Sequence, residues 1–366
     1  MRKIVFLASS LSYGGAEKML CFVANGFFEA GNHVTVINLL EHPDNAGILN
    51  SSIPIVEIND IKIRYISRIH QLERVYRVIK RIRPDVIISF KFLPNYIASL
   101  IGKVLRIPVI ISERSDPWKE LGNHWRVKLY CKLINSAEGG VFQTKGAMEY
   151  YSLEMQEKGI VIPNPVFLNE NITHIIKKNE DSNKIISIGR LSNKQKRYDI
   201  LLQAFKQFAR YNQKYKLEIF GDGEDESTIH MWTKEFGLES KVFFGGKTKR
   251  PLDAMNNADI FLITSDYEGI SNALLEAMAI GMPVVTTDSS PGGARMLIED
   301  GENGLIVPCG DIIGIARSLD KMANDYNLRC RCGENAKKVN EIYRPEKILE
   351  KWMKYTYKTI ENYNSV

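Results

Sequence analysis

Disulfide and metal-site spacings are missing from this chain. Its five cysteines, Cys21, Cys131, Cys309, Cys330 and Cys332, are odd in number and scattered, with no CxxC pair or Cys/His cluster. That pattern excludes a disulfide framework and a zinc module, and it suits a reducing compartment. Cys330 and Cys332, the one close pair, read as two unpaired thiols near a helix end. Long apolar runs are missing too, since no stretch approaches the roughly 18 uninterrupted apolar residues of a membrane span. The N-terminus, MRKIVFLASSLSYGG, starts basic and apolar, but Ile4 to Ala8 is far too short for a signal-peptide core and reads as a first β-strand. Nothing anchors the chain integrally. The sequence also has no GxGxxG fingerprint, no Walker A loop and no acidic DxD metal box in a suitable loop.

What is present is ordinary globular material: 366 residues, 44% hydrophobic and 25% charged. This length favours two domains of roughly 150 to 200 residues, each able to bury its own core. The net charge of +6 is unevenly placed, with 21 Lys/Arg against 15 Asp/Glu in residues 1–165 and 28 against 28 in 166–366. Short Val/Ile/Phe runs at 4–9, 33–40, 85–90, 108–112, 184–189, 217–221, 241–246, 259–265 and 283–288 alternate with amphipathic stretches. Nearly continuous apolar strands between helices mark parallel sheets covered on both faces. The fold class is α/β, with two doubly wound Rossmann-like domains, and nucleotide-binding architecture is expected of both. VIPNPV (161–166) and the polar stretch 168–183 form the junction, which gives a first domain 1–165, a second domain 166–343 and a C-terminal helix 344–366 packing back on the first domain.

Three segments carry candidate chemistry. Gly14-Gly15-Ala16-Glu17 follows the first strand, where adjacent glycines let amides approach a ligand and the next helix favours an anion; a plain tight turn reads the same way. Gly189-Arg190-Leu191 follows the first strand of the second domain and leads to Lys194, Lys196 and Arg197. Cations at the carboxyl end of a parallel strand can neutralise a diphosphate, although a solvated basic loop has the same composition. The third segment, 259–288, sets Glu268 in a loop and Glu276 in the second turn of a helix spaced over Ile270 to Ile280. A loop carboxylate and a helical carboxylate there flank amides freed at the helix start.

These residues resemble glycosyltransferase family 4, retaining enzymes of the GT-B fold, in which the two domains face each other across a cleft. The resemblance rests on Glu268-x7-Glu276 within EGISNALLEAMAIGMPVV, with GGAE, VIPNPV, GRL and its downstream lysine, and GGAR…IEDGENGLIVP (292–308) in the expected order. It spans about 15–350 and is densest over 184–310. It is most similar to enzymes that build bacterial surface polysaccharides, such as capsule or O-antigen, on lipid-linked acceptors. The resemblance implies that Arg190 and Lys196 bind the donor diphosphate, Glu276 the ribose and Glu268 the transferred sugar, with Glu268, Arg190 and Lys196 as the catalytic set. Gly269, Ile270, Ser271, Asn272 and Ala273 would complete the donor contacts, and Gly15 would bring amides from the first domain. SNKQK holds one residue more than the family pattern, which leaves Lys194 and Lys196 both open as the diphosphate lysine. Where many relatives place a histidine, this chain reads IISERSDPW (110–118), so Glu113 and Arg114 become candidate sugar or acceptor contacts.

No metal or other cofactor is expected, because the cations would meet the charge that grows on the departing diphosphate. The expected reaction moves a hexose or N-acetylhexosamine from a nucleotide sugar, a uridine diphosphate sugar by the resemblance, to a lipid-diphosphate-linked or growing glycan. Two basic, aromatic stretches, 62–83 and WRVKLYCKL (125–133), suit an anionic membrane surface, with the enzyme cytoplasmic and peripheral on the inner face of the plasma membrane. Nucleic acid is not expected as a partner, since no binding motif accompanies the charge. The alternatives are a nucleotide-sugar epimerase of the same build and a non-catalytic membrane-associated binding protein.

Overall fold

The computed structural model describes residues 1–11, 14–40, 49–58, 64–122, 124–167, 183–248 and 250–365, with backbone alone over 64–69. The polar stretch read as a junction therefore lies outside the described residues, apart from Asn183. The chain divides into two compact units: Met1–Asn164 with Glu346–Val366, and Pro165–Pro345.

The first unit is built on seven parallel strands, β1 (Lys3–Ala8), β2 (His33–Asn38), β3 (Ile55–Glu57), β4 (Val86–Phe90), β5 (Val109–Glu113), β6 (Gly139–Phe142) and β7 (Gly159–Val161), in the order β3-β2-β1-β4-β5-β6-β7. Every residue of β4 and β5 is buried, which is why both read as unbroken apolar runs. The chain order reverses between β1 and β4, so the carboxyl ends of these two strands form the switch point of the sheet. The helix Arg64–Ile82 lays Val75 and Ile79 into the core, and Leu72, Tyr76, Val78 and Ile82 pack against it. The last helix, Pro345–Asn364, completes the same unit. Its Trp352 is wholly buried and stacks on Phe90 at the end of β4, with centroids 5.7 Å apart. Its Tyr355 hydroxyl accepts a hydrogen bond from the Gly140 amide at 2.9 Å and donates to the Lys158 carbonyl.

The second unit repeats the plan with β8 (Lys184–Ile188), β9 (Lys216–Phe220), β10 (Val242–Gly246), β11 (Ile260–Ile263), β12 (Val284–Thr287) and β13 (Leu305–Val307), ordered β10-β9-β8-β11-β12-β13, all parallel. Ile185, Leu217, Ile260, Leu262 and Val285 from the sheet meet Phe205, Phe208, Leu319 and Met322 from helices in one core. Here the reversal falls between β8 and β11. The sequence segments singled out as Gly189–Arg197 and Glu268–Glu276 follow these two strands, so one sheet position gathers both. Among the described residues no helix is long and apolar enough to cross a membrane.

Candidate functional site

The loop after β11 is held by hydrogen bonds made one residue after another. Thr264 and Ser265 extend the buried strand as polar residues. The Thr264 hydroxyl donates to the Lys196 carbonyl at 2.9 Å, and the Thr287 hydroxyl donates to the Ser265 carbonyl at 2.6 Å. The Glu268 amide donates to the Ser290 carbonyl at 2.7 Å, and Ser290 returns a bond from its own amide to Asp266 at 3.0 Å. Ser271 then caps the helix Asn272–Ala279, its hydroxyl oxygen accepting from the Leu274 amide. The Gly269 carbonyl is pressed against Gly293 so closely that a Cβ there would lie 1.6 Å from its oxygen. Gly269 and Ile270 are buried, while Ser271, Asn272, Ala273 and Glu276 are half-buried.

The basic turn after β8 is docked on that loop. Gly221, at φ +146°, passes so near the Gly189 carbonyl that a side chain would overlap it, and the Leu191 amide donates to the Asp222 carbonyl at 2.8 Å. Arg190 and Lys194 emerge exposed. Neither side chain forms a hydrogen bond or ion pair with another described residue. The short helix Asn193–Lys196 joins the Glu268 loop through Gln195, whose side-chain amide donates to the Tyr267 carbonyl at 3.1 Å and whose carbonyl accepts from the Asp266 amide at 2.9 Å. Arg197 closes the turn in the left-handed region, φ 53° and ψ 52°. Its guanidinium grips Asp199 through Nε and Nη2, both at 2.9 Å, and Asp266 through Nη1 at 2.8 Å.

This arrangement brings Lys196 and Glu268, 72 residues apart, into a salt bridge with side chains only 12% and 9% exposed. Ser265 also donates its hydroxyl to the same carboxylate oxygen at 3.3 Å. Burial, reinforced by the neighbouring Arg190 guanidinium, pulls the Lys196 ammonium down to about 7. The Arg197 guanidinium is driven the other way, upward, by its bonds to Asp199 and Asp266. A small cavity of about 10 Å3 lies beside Glu268, lined by Ser265, Gly269, Ser271, Thr286 and Ser289; it has room for about one water. Among the described residues no cluster of His, Cys, Asp and Glu could hold a metal ion. Of the two lysines left open by the sequence, Lys196 meets the loop carboxylate and Lys194 remains exposed outside the pair.

The first-unit candidates are placed differently. Gly15 opens the helix Gly15–Glu29, with Gly14 as its extended N-cap. Glu17 in that helix's first turn is buried and ion-paired with Lys91, the residue directly after β4. Sequence reasoning passed over Lys91, whose only signal is its place at the carboxyl end of a strand. Glu113 is 2% exposed and fully bonded: one oxygen accepts from the Arg114 and Ser115 amides and the Ser115 hydroxyl, the other from the Tyr151 hydroxyl at 2.8 Å. Burial pushes its carboxyl up despite those bonds. Arg114 is buried as well, its guanidinium donating to the Ile162 carbonyl at 3.1 Å and to Asn164. Burial pulls it down to about 9, with the Glu113 carboxylate opposing. Glu113 is thus committed to its own loop and Tyr151, and Arg114 to the Ile162 carbonyl and the Asn164 side chain.

Residues 169–339 match the family described as glycosyl transferases group 1. The chain is a glycosyltransferase. It is 25% identical over 362 residues, 97% of this chain and 98% of the relative, to the GalNAc-alpha-(1->4)-GalNAc-alpha-(1->3)-diNAcBac-PP-undecaprenol alpha-1,4-N-acetyl-D-galactosaminyltransferase of Campylobacter jejuni. It is likewise 25% identical over 366 residues, 96% of this chain and 99% of the relative, to an uncharacterized glycosyltransferase of Haemophilus influenzae. In fold this glycosyltransferase matches Anabaena HepE, solved with UDP and glucose, at a TM-score of 0.83 and 19% identity, covering 98% of this chain and 100% of that one. Its two doubly wound domains are thus those of the GT-B fold.

Proposed function

We propose that this enzyme, of the retaining family 4 type, moves a hexose or N-acetylhexosamine from a UDP-sugar to a lipid-diphosphate-linked glycan in bacterial surface polysaccharide synthesis. The observation that carries the reading is the buried Lys196–Glu268 pair with exposed Arg190 beside it, at the switch point of the second sheet. A diphosphate brought there meets two cations, and a sugar attached to it meets the Glu268 carboxylate. Arg190 and Lys196 then stabilise charge as it develops on the departing phosphate, so no divalent metal is required. A glycosyl cation-like transition state gains from Glu268 close by. For retention, the acceptor attacks from the side of the leaving phosphate, which takes its proton. Glu276, in the second turn of the helix Asn272–Ala279, is assigned to the ribose hydroxyls. Amides over Gly269–Ala273, and Gly15 in the first unit, are assigned to phosphate and sugar contacts.

The donor and acceptor classes draw support from the relatives: the Campylobacter enzyme's name specifies an undecaprenol diphosphate glycan, and HepE was solved with UDP. A cytoplasmic, membrane-peripheral location follows from an acceptor of that kind. Glu113 and Arg114 we assign to holding the loop after β5, since the Glu113 carboxylate and the Arg114 Nη atoms are engaged within their own unit. The test is incubation with a panel of nucleotide sugars, with and without a polyprenyl-diphosphate sugar. Acceptor-dependent release of nucleoside diphosphate supports the reading; conversion of the donor sugar without an acceptor would replace it with an epimerase.

A further inference from the structure

One helix of the first unit has an apolar stripe that its own fold leaves uncovered. The helix Trp125–Ile134 meets its unit through Tyr130, whose ring lies 4.6 Å from that of Tyr96 and 6.1 Å from that of Phe92, and through buried Ile134. At about 100° per residue, Trp125, Lys128, Leu129 and Lys132 fall together on the opposite side. All four are exposed, Trp125 at 64% and Leu129 at 59%. Lys128 and Lys132 also line an open groove with Cys131, Tyr150 and Trp118, which is itself 52% exposed. The Trp118 ring is held in place while exposed: it stands edge-on to Tyr150 at 5.0 Å and donates its indole N–H to the Gly146 carbonyl at 2.9 Å. From Pro117 to Ile134 the cations are Lys119, Arg126, Lys128 and Lys132, against Glu120 alone. On the groove wall Glu154 is taken up by Lys158.

The helix Arg64–Ile82, more basic by sequence, offers no such stripe over its described side chains. Its apolar residues from Leu72 to Ile82 are turned to the core, and of its exposed cations Arg77 pairs with Glu73 while Lys80 lies over the ring of half-buried Tyr76. A bilayer interface is bound by both elements together, cations for the headgroups and aromatic or branched side chains for the acyl boundary. We propose that the face made by Trp118, Trp125, Leu129, Arg126, Lys128 and Lys132 docks this enzyme on an anionic lipid bilayer. The two tryptophans and Leu129 enter the interface, and the three cations meet lipid phosphates. The purpose of docking rests on the lipid-linked acceptor proposed above; the surface itself rests on these side chains.

Co-sedimentation with phosphatidylglycerol/phosphatidylethanolamine vesicles, against phosphatidylcholine vesicles, tests it. Lys128→Gln with Lys132→Gln lowers partitioning roughly thirtyfold, each cation at an anionic surface counting for about fivefold. Trp125→Ser with Leu129→Ser lowers it at least tenfold, and neutralising Arg77, Lys80 and Arg81 together leaves it within about twofold. Unchanged binding by the first two variants, loss of binding from the third, or equal binding of the wild type to neutral vesicles overturns the proposal. So does a wild-type dimer that Trp125→Ser with Leu129→Ser splits, since the occupant is then a second copy of the chain. Turnover on a water-soluble acceptor without a long lipid stays at the wild-type level in all variants. If no form turns over any acceptor, the transferase reading fails and the vesicle result stands by itself.

Discussion

The two sheets share a winding plan but spend their polar residues differently at the switch point. In the second unit, the loops after β8 and β11 are tied to each other through Gln195, Thr264 and Arg197, which leaves Arg190 and Lys194 exposed and Lys196 facing one carboxylate. In the first unit, Glu113 and Arg114 are consumed in fixing the loop after β5 to Tyr151 and to residues 162–164, and Glu17 is taken by Lys91. One edge is organised to receive negative charge, and the other to hold its own chain in place. Composition alone gives the opposite impression, since the whole cationic excess belongs to residues 1–165. Where charge can act depends on what it is already bonded to.

Substitutions can break this contrast, beginning with the largest effect. Glu268→Gln lowers kcat by about 10²–10³-fold while leaving UDP affinity within about threefold, as expected for a group acting on the reacting sugar; steady-state kinetics beside calorimetric titration with UDP reads both, and near-wild-type turnover removes Glu268 from its role. Arg190→Ala weakens UDP binding about 10- to 100-fold, the range for one charge-assisted contact, whereas Lys194→Ala changes it by less than about threefold.

Lys196 adds a pH dependence. Its charge is complete below about 7 and is lost as pH rises through that value, so UDP affinity falls over the same interval and Lys196→Arg removes the inflection. Stability moves oppositely. Between about 7 and the ordinary lysine range the unfolded chain holds the extra proton, so unfolding free energy rises with pH there. Arg197→Met lowers kcat/KM about tenfold by loosening the turn, and the inflection shifts with it; a purely structural loss would leave the inflection where it was.

The smallest effect belongs to the first unit. Glu113 is raised, so the folded form keeps its proton above the ordinary glutamate range while the unfolded chain has lost it, and stability falls as pH rises through that window. Glu113→Gln flattens the fall of the melting temperature as pH rises above the ordinary glutamate range and leaves kcat within about twofold. A kcat loss comparable to that of Glu268→Gln would erase the distinction between the two edges.

Much of the architecture was legible because buried parallel strands write unbroken Val, Ile and Phe runs, as in β4, β5 and β11. Four strands were passed over for physical reasons. β3, β7 and β13 have three residues each, too few for any periodicity. β6 begins with two glycines that lack strand propensity and are held by tertiary contact. The start of VIPNPV, read as linker, continues the first sheet, with the Ile162 amide bonded to the Phe142 carbonyl at 2.9 Å. In the site, the position of Glu268 ahead of a Ser-capped helix could be read locally. Its union with Lys196 could not, because a contact across 72 residues depends on two loops docking. A charged Glu113-Arg114 pair after a strand likewise looks like exposed loop until its partners, 38 and 48 residues away, are known.

Trp352 and Tyr355 carry a consequence for the order of synthesis. The first unit needs them to cover Phe90 and to bond Gly140 and Lys158, yet they follow the whole second unit along the chain. The second unit is one uninterrupted segment, Pro165–Pro345, and is fully translated before them. The half of the enzyme that emerges first therefore waits with its core open until the whole of the other half has been made.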